Sequence, residues 1–118
     1  MELLQKLIIV GQYKLMETKK FNIFGEPWRI NWVTCITNPD NPEQWRWGET
    51  NTGAHLIRVS KETVEGKKIL QRTQDLTKYH ELVHAILDEG QYLEESQNES
   101  LVEWLAKCLM SLKEQNVL

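Results

Sequence analysis

The chain has 118 residues, of which 41% are hydrophobic and 26% are charged. These values are ordinary for a globular protein, and the length fits one domain over residues 1–118 with a core of its own. The formal net charge is only −3, and no basic stripe follows any predicted element. This composition argues against nucleic acid as a partner.

Two further features bear on the cellular compartment. The apolar run at residues 7–10 is too short for a secretory signal or for a membrane span. Cys35 and Cys108 lie far apart and show no metal-ligand spacing; they could pair, but without a secretory signal we expect reduced thiols. The sequence therefore predicts a cytoplasmic protein with no membrane partner.

The first half of the chain is predicted to be mainly strands. Residues 2–18 carry a partial helical stripe but also Gly11 and a β-branched run; we favour a helix that backs the fold. Alternation of apolar and polar residues predicts strands at 28–34 and 54–59, and residues 45–50 can form another strand between them. Turn-forming residues predict the segments that separate them: 22–27, 38–42 and 51–53.

The second half changes to helical periodicity. Apolar residues recur at helical spacing from about Asp75, and Gly90 is expected to end that helix. A last helix is predicted from about Ser96 or Asn98 to Lys113. Strands followed by helices predict an α+β fold, in which a small sheet of about three strands packs against these two helices.

The first predicted helix carries a metal-binding pattern, His80-Glu81-Leu82-Val83-His84. His80 and His84 are one turn apart on the same face, so their imidazoles can bind one Zn²⁺. Glu81 is rotated by about 100° from His80 and borders the metal without ligating it. A general base for a zinc-activated water is expected at that position. The alternative is a chance motif on a helix surface.

A catalytic zinc site needs a third protein ligand, and the sequence offers several. Four carboxylates follow the turn at Gly90 and compete for this role: Glu94, Glu95, Glu99 and Glu103. Carboxylates on a helix most often form only a solvated face. Glu99 and Glu103 are again one turn apart, so one can ligate while the other accepts the outward N–H of a histidine ligand.

The pattern HExxH, followed on a second helix by Asn-Glu and a carboxylate four residues later, resembles the gluzincin metallopeptidases, to which thermolysin belongs. The matching residues are His80, Glu81, His84, Asn98, Glu99 and Glu103. The order of elements also resembles the minigluzincins and small relatives from phages and mobile elements. The resemblance implies a minimal zincin-like fold, with His80, His84 and Glu99 as zinc ligands and Glu81 as the general base. It also implies that Glu103 accepts a hydrogen bond from a histidine ligand.

This resemblance implies a zinc metallopeptidase, an endopeptidase rather than an exopeptidase, acting on a peptide or protein. The chain departs from the family in three ways. Only fifteen positions separate His84 from Glu99, which is fewer than is usual in the larger gluzincins. Lys78 stands where zincins usually have an uncharged residue. No Tyr or His downstream of Glu99 is suited to stabilise the oxyanion of the reaction. The alternative is a non-catalytic or latent zinc-binding interaction module on the same fold.

Other residues have two interpretations each. His55 can approach the zinc site from its predicted strand or be a half-exposed strand residue. Four tryptophans can line a cleft or pack in the core: Trp28, Trp32, Trp45 and Trp47. Tyr79 is expected to be a core residue of the helix with the two histidines.

Overall fold

The computed structural model describes residues 14–118 and contains six strands and three helices in that range. The strands are β1 Leu15–Ile23, β2 Glu26–Val33, β3 Ile36–Asn38, β4 Asn41–Arg46, β5 Gly48–Asn51 and β6 Leu56–Ser60. The helices are α1 Gln71–Glu89, α2 Leu93–Gln97 and α3 Glu99–Glu114. The α+β class predicted from the sequence is confirmed.

The main sheet has four strands in the order β1-β2-β6-β5, and β3 and β4 form a separate antiparallel pair. β2 and β6 run parallel, whereas β1 pairs antiparallel with β2 and β5 antiparallel with β6. The prediction of about three strands was therefore too low. β5 lies at one edge of this sheet, a position that becomes important below.

The missing strand is β1, which includes residues that were predicted to be helical. Leu15 and Met16 are exposed, whereas a helix backing the fold would bury them. The chain pairs instead with β2 through a hairpin whose turn is formed by Phe24 and Gly25. This pairing is a tertiary contact that local periodicity does not report. The rest of the predicted N-terminal helix, residues 2–13, lies outside the described residues.

Two predictions around the β3–β4 pair are confirmed only in part. The loop expected at 38–42 is a turn of Pro39 and Asp40, in which the Asn38 side chain accepts a hydrogen bond from the Asp40 amide. The strand expected at 45–50 is interrupted at Trp47. There the Trp47 carbonyl accepts from the Ser60 amide, and Ser60 Oγ donates to the Arg46 carbonyl. Short polar contacts therefore divide one predicted strand into β4 and β5.

Helix α1 is packed between the sheet and α3. Its residues Leu82 and Ala85 contact the sheet core, and Val83 belongs to a second core shared with α3. The sheet core contains the alternating residues of β2 and β6: Trp28, Ile30, Trp32, Ile57 and Val59. Because α1 packs Leu82 and Ala85 against the sheet and Val83 against α3, both neighbours fix the position of this helix.

The helix boundaries differ slightly from those predicted. α1 begins at Gln71 rather than about Asp75, and the buried Gln74 side chain donates to the Ile69 carbonyl at this end. α1 ends before Gly90, as predicted. α3 begins after Asn98, whose side chain accepts from the Leu101 amide, whereas the short α2 was not predicted. Within residues 14–118, no helix is long and apolar enough to cross a membrane.

Candidate metal centre

His80 and His84 lie one turn apart on α1, as the sequence predicted. Their rings are half-buried, with centroids 5.0 Å apart. The His80 ring contacts Glu99 and Glu103 of α3, and the His84 ring contacts Ser96 of α2 and Glu99 of α3. The packing of α1 against α3 thus orients two imidazoles towards the beginning of the next helix.

Glu99, the first residue of α3, reaches both histidines. One carboxylate oxygen lies 3.0 Å from His80 Nε2, and the other lies 3.1 Å from His84 Nε2. Ligand atoms of His80, His84 and Glu99 lie within 4.8 Å of one another, the one such group with metal-binding capacity among the described residues. The structure thus brings together the three residues that were predicted as ligands.

The other ring nitrogens of the two histidines also have partners. His80 Nδ1 lies 3.0 Å from Glu103 Oε2, and His84 Nδ1 lies 3.0 Å from Ser96 Oγ. When Nδ1 carries the ring proton, these oxygens accept a hydrogen bond from the Nδ1–H group. The lone pair of each Nε2 is then free to bind a cation. Glu103 was predicted in this role.

Ser96 was missed by the sequence analysis. It is buried on α2, a helix too short to give a periodic signal. The serine appeared in the sequence only as a possible start of the last helix. Asn98, which belongs to the gluzincin pattern, acts here as the N-cap of α3.

Glu81 lies beside the cluster with its side chain almost fully buried, since the residue is only 8% exposed. Its Oε1 accepts a hydrogen bond of 2.8 Å from Thr50 Oγ1 on β5. Burial raises the pKa of the Glu81 carboxyl, while the Thr50 hydrogen bond and the two histidines act in the opposite direction. Among the described residues, the group that could hold a metal ion consists of His80, His84 and Glu99 and does not include Glu81.

A close approach of β5 to α1 makes the contact between Thr50 and Glu81 possible. A Cβ atom at Gly48 would lie 2.6 Å from Thr77 Cγ2 and 3.0 Å from Glu81 Cγ. Only a residue without a side chain fits this distance. Gly48 is therefore needed for the strand to reach the helix.

The donor set fits a zinc ion. In a tetrahedral zinc site with bonds of about 2.0–2.1 Å, neighbouring donor atoms lie about 3.3 Å apart. Two contacts are close to this spacing, since Glu99 Oε2 lies 3.0 Å from His80 Nε2 and Glu99 Oε1 lies 3.1 Å from His84 Nε2, whereas the ligand atoms of the whole group lie within 4.8 Å of one another. Two imidazoles and one carboxylate are also the ligand types that zinc prefers in catalytic sites.

The remaining candidates lie elsewhere or have a structural role. His55 precedes β6 in a turn with a positive φ, stacks on Trp28 and lies 3.1 Å from a Glu89 oxygen, away from the cluster. Trp28 and Trp32 are core residues, whereas Trp45 is partly buried and Trp47 is exposed. The core interpretation is therefore confirmed for Trp28 and Trp32, and a cleft lined by Trp45 and Trp47 stays a prediction.

Tyr79 packs against the core shared by α1 and α3, as predicted. The Lys78 amino group lies 4.8 Å from the centre of the Tyr79 ring, and burial lowers the pKa of Lys78. Lys78 does not belong to the metal-binding group.

Comparisons with protein-family models, with curated proteins and with solved structures gave no match for this chain.

Proposed function

We propose that the protein is a zinc-dependent metallopeptidase of the gluzincin type, with a minimal zincin-like fold. The observation that carries this proposal is the meeting of His80, His84 and Glu99 around one point, with the buried Glu81 beside them. Three protein donors leave one tetrahedral position for the reaction, which is the arrangement of catalytic zinc sites.

In this proposal the chain holds the ion through the Nε2 atoms of both histidines and the Glu99 carboxylate. Glu103 and Ser96 fix the ring orientations through the Nδ1 atoms, at 3.0 Å each. When bound there, Zn²⁺ would lower the pKa of a water molecule and polarise a peptide carbonyl.

Glu81 is the proposed general base. Its carboxylate takes a proton from the attacking water and then delivers it to the leaving amine, so the residue ends the cycle as it began. The hydrogen bond from Thr50 Oγ1 to Glu81 Oε1 holds the carboxylate in one orientation. The second oxygen of Glu81 is then available for the proton transfer.

Strand β5 provides a place for the substrate. It is an edge strand of the main sheet, and Thr50 within it contacts Glu81. An extended peptide can pair with the main chain of such an edge. Pairing of this kind accepts the middle of a peptide, which favours an endopeptidase. We propose a cytoplasmic setting, because Cys35 and Cys108 are both free thiols.

The test is Glu81→Gln, which keeps the size of the side chain and removes the base. The zinc-loaded variant should retain its metal while cleavage of a mixed peptide library, followed by mass spectrometry, falls by about 10²–10⁴-fold. Glu94→Gln makes the same chemical change at an exposed position of α2 and should cleave like the parent.

Two results would contradict the proposal. Equal cleavage by Glu81→Gln and the parent would assign the activity to a contaminant or to another mechanism. A zinc-loaded parent that cleaves nothing across a broad library would favour the non-catalytic zinc-binding module instead.

A further inference from the structure

Helix α3 carries two apolar stripes rather than one. The first is buried and includes Val102 and Ala106, which share a core cluster with Val83 of α1. The second consists of residues that are half-buried or exposed and that follow one another at intervals of four, three and four positions: Leu101, Leu105, Cys108 and Leu112. A surface helix needs only one apolar stripe to pack on its own core, so the second stripe has another use.

Trp104 extends this second stripe. It follows Leu101 by three positions and precedes Cys108 by four, so it is a neighbour of both on the helix surface. Its side chain is 61% exposed. Large aromatic rings normally bury most of their area, and a group of apolar side chains that stays exposed marks a contact with another protein. We call this group the outer face of α3: Leu101, Trp104, Leu105, Cys108 and Leu112.

The outer face lies on the side of α3 that is remote from the metal cluster. At about 100° per residue, Glu99 and Glu103 are rotated by about 140–180° from Leu101 and Cys108. Both glutamates contact His80. A molecule bound to the outer face therefore leaves the cluster accessible.

The spacing of the outer face is that of a contact between two helices. Alternating intervals of four and three residues define the a and d positions of a coiled coil, which makes Leu105 and Leu112 the a residues and Leu101 and Cys108 the d residues. When two identical helices pack antiparallel around a two-fold axis, the a residues of one copy face the d residues of the other. Leu101 then faces Leu112 of the second copy, and Leu105 faces its Cys108. The outer face is therefore complementary to itself.

The same arrangement gives Trp104 a small neighbour. Trp104 and Ser111 are seven residues apart on the same side of the outer face, and antiparallel packing places the Trp104 of one copy near the Ser111 of the other. Ser111 is exposed and has a small side chain, which leaves room for the ring. The rings of both copies are buried by this contact, and buried tryptophans contribute strongly to binding energy at interfaces.

The charges along the chain favour an antiparallel second copy. Residues 91–106 contain no basic side chain and four acidic ones: Glu94, Glu95, Glu99 and Glu103. Lys107 and Lys113 follow in the second half of α3, and neither makes an ion pair with any residue that the structure describes. Antiparallel packing brings the acidic half of each copy towards the basic half of the other and also opposes the two helix dipoles. Parallel packing would instead bring the acidic halves together.

We propose that the outer face of α3 binds the outer face of a second copy of this chain, antiparallel and around a two-fold axis. One pair of helices buries less than the standard interface of about 1,600 Å², so the dimer dissociates on dilution. This proposal does not rest on the peptidase function, because no residue of the outer face belongs to the metal-binding group.

The first experiment is sedimentation equilibrium of the full chain over about 1 µM to 1 mM, the range of weak association. The mass should rise from one chain to two. Trp104→Glu places an unpaired charge in the contact and should weaken dimerisation by at least about tenfold. Phe24→Glu is the matched control, because it makes the same kind of change at a residue of the β1–β2 turn that is 84% exposed, and it should dimerise like the parent. Circular dichroism melts check that both variants fold.

The second experiment tests the orientation of the two copies. In Leu105→Cys, mild oxidation should link the new thiol to Cys108 of the second copy, and peptide mass spectrometry identifies the linked pair. Ser100→Cys adds a thiol at the exposed start of α3, outside the contact, and should give no link to Cys108. Lys107→Glu opposes the acidic half of the second copy and should weaken the dimer several-fold.

Four results would overturn the proposal. A parent protein that keeps the mass of one chain throughout the concentration series has no such dimer. Equal association of Trp104→Glu and the parent, or equal weakening by Trp104→Glu and Phe24→Glu, would remove the outer face of α3 from the contact. A link between the two copies of position 105 in Leu105→Cys, with none to Cys108, would make the helices parallel.

Discussion

Thr50 donates its hydroxyl towards two oxygens of Glu81, with Oγ1 lying 2.8 Å from the carboxylate Oε1 and 3.1 Å from the main-chain carbonyl. A parallel contact occurs two residues later, where Thr52 Oγ1 donates to Asp88 Oδ2 at 2.7 Å. The two carboxylates are seven residues apart, or about two turns of α1. Two threonines at the edge of the sheet thus hold one side of the helix.

The first prediction separates these two contacts. Thr50→Val keeps the shape of the side chain but removes the hydrogen bond that orients Glu81. Peptide cleavage should fall by about 10–100-fold, as is typical when a group that orients a site residue is lost, while zinc affinity should remain near that of the parent. Steady-state kinetics and a zinc competition titration measure the two quantities.

Thr52→Val is the matched control, because it removes the same chemical group from a contact with Asp88. It should leave cleavage within a few fold of the parent. Equal losses in Thr50→Val and Thr52→Val would mean that the threonines only hold the helix and do not orient the base.

The second prediction concerns the ligand set. His80→Ala and His84→Ala should each abolish tight binding of one zinc ion per chain. Glu99→Gln should weaken zinc binding more than Glu103→Gln, since Glu99 reaches both Nε2 atoms and Glu103 reaches only His80 Nδ1. The loss in Glu103→Gln should be about 10–100-fold.

Elemental analysis and competition with a chromophoric chelator give these affinities. The reverse ranking of Glu99→Gln and Glu103→Gln would transfer the third ligand to Glu103 and end the resemblance to thermolysin-like sites. If His80→Ala and His84→Ala bind zinc as tightly as the parent, the metal hypothesis itself is wrong.

The third prediction tests Ser96. Its hydroxyl is buried 3.0 Å from His84 Nδ1, so Ser96→Ala leaves that ring nitrogen without its partner. Zinc affinity should fall by about 10–100-fold. Ser100→Ala removes a hydroxyl from the exposed start of α3 and should bind zinc like the parent.

A circular dichroism melt of the metal-free proteins checks that both serine variants fold. An affinity of Ser96→Ala equal to that of Ser100→Ala would show that Ser96 does not position His84.

The site was more predictable than the fold around it, for physical reasons. His80, His84 and Glu81 share one helix, so their relation follows from its period alone. Glu99 and Glu103 were also selected, because the resemblance supplied a long-range relation. Ser96 lies on a helix of five residues, and nothing in its local sequence indicates that it faces His84.

The fold errors have a similar origin. β1 exists through pairing with β2, and the break at Trp47 exists through contacts with Ser60. Both depend on residues that are distant in sequence, and local alternation or helical spacing carries no information about them. His55 likewise contacts Glu89 because a turn with a positive φ replaces the beginning of its predicted strand.

The last prediction concerns the two thiols, which differ in their surroundings. Cys35 is buried, and that burial raises the pKa of its thiol, with a smaller contribution from the nearby carboxylates of Glu62 and Glu65. The thiolate is the form that reacts, so a raised pKa leaves less of it at any given pH. In the folded protein at pH 8, iodoacetamide should therefore modify Cys35 at least about tenfold more slowly than the partly exposed Cys108.

The dependence on pH has a definite sign. The labelling rate of Cys35 should continue to rise above pH 8.5, the ordinary pKa of a thiol, because its own midpoint lies higher. Glu62→Gln removes one of the lesser causes and should accelerate labelling only slightly, since burial remains. Peptide mass spectrometry after timed alkylation gives both rates, and in guanidinium chloride the two cysteines should react alike. Equal rates in the folded protein would mean that the region around Cys35 opens to solvent on the time scale of the reaction, contrary to its burial in the link between β2 and β3.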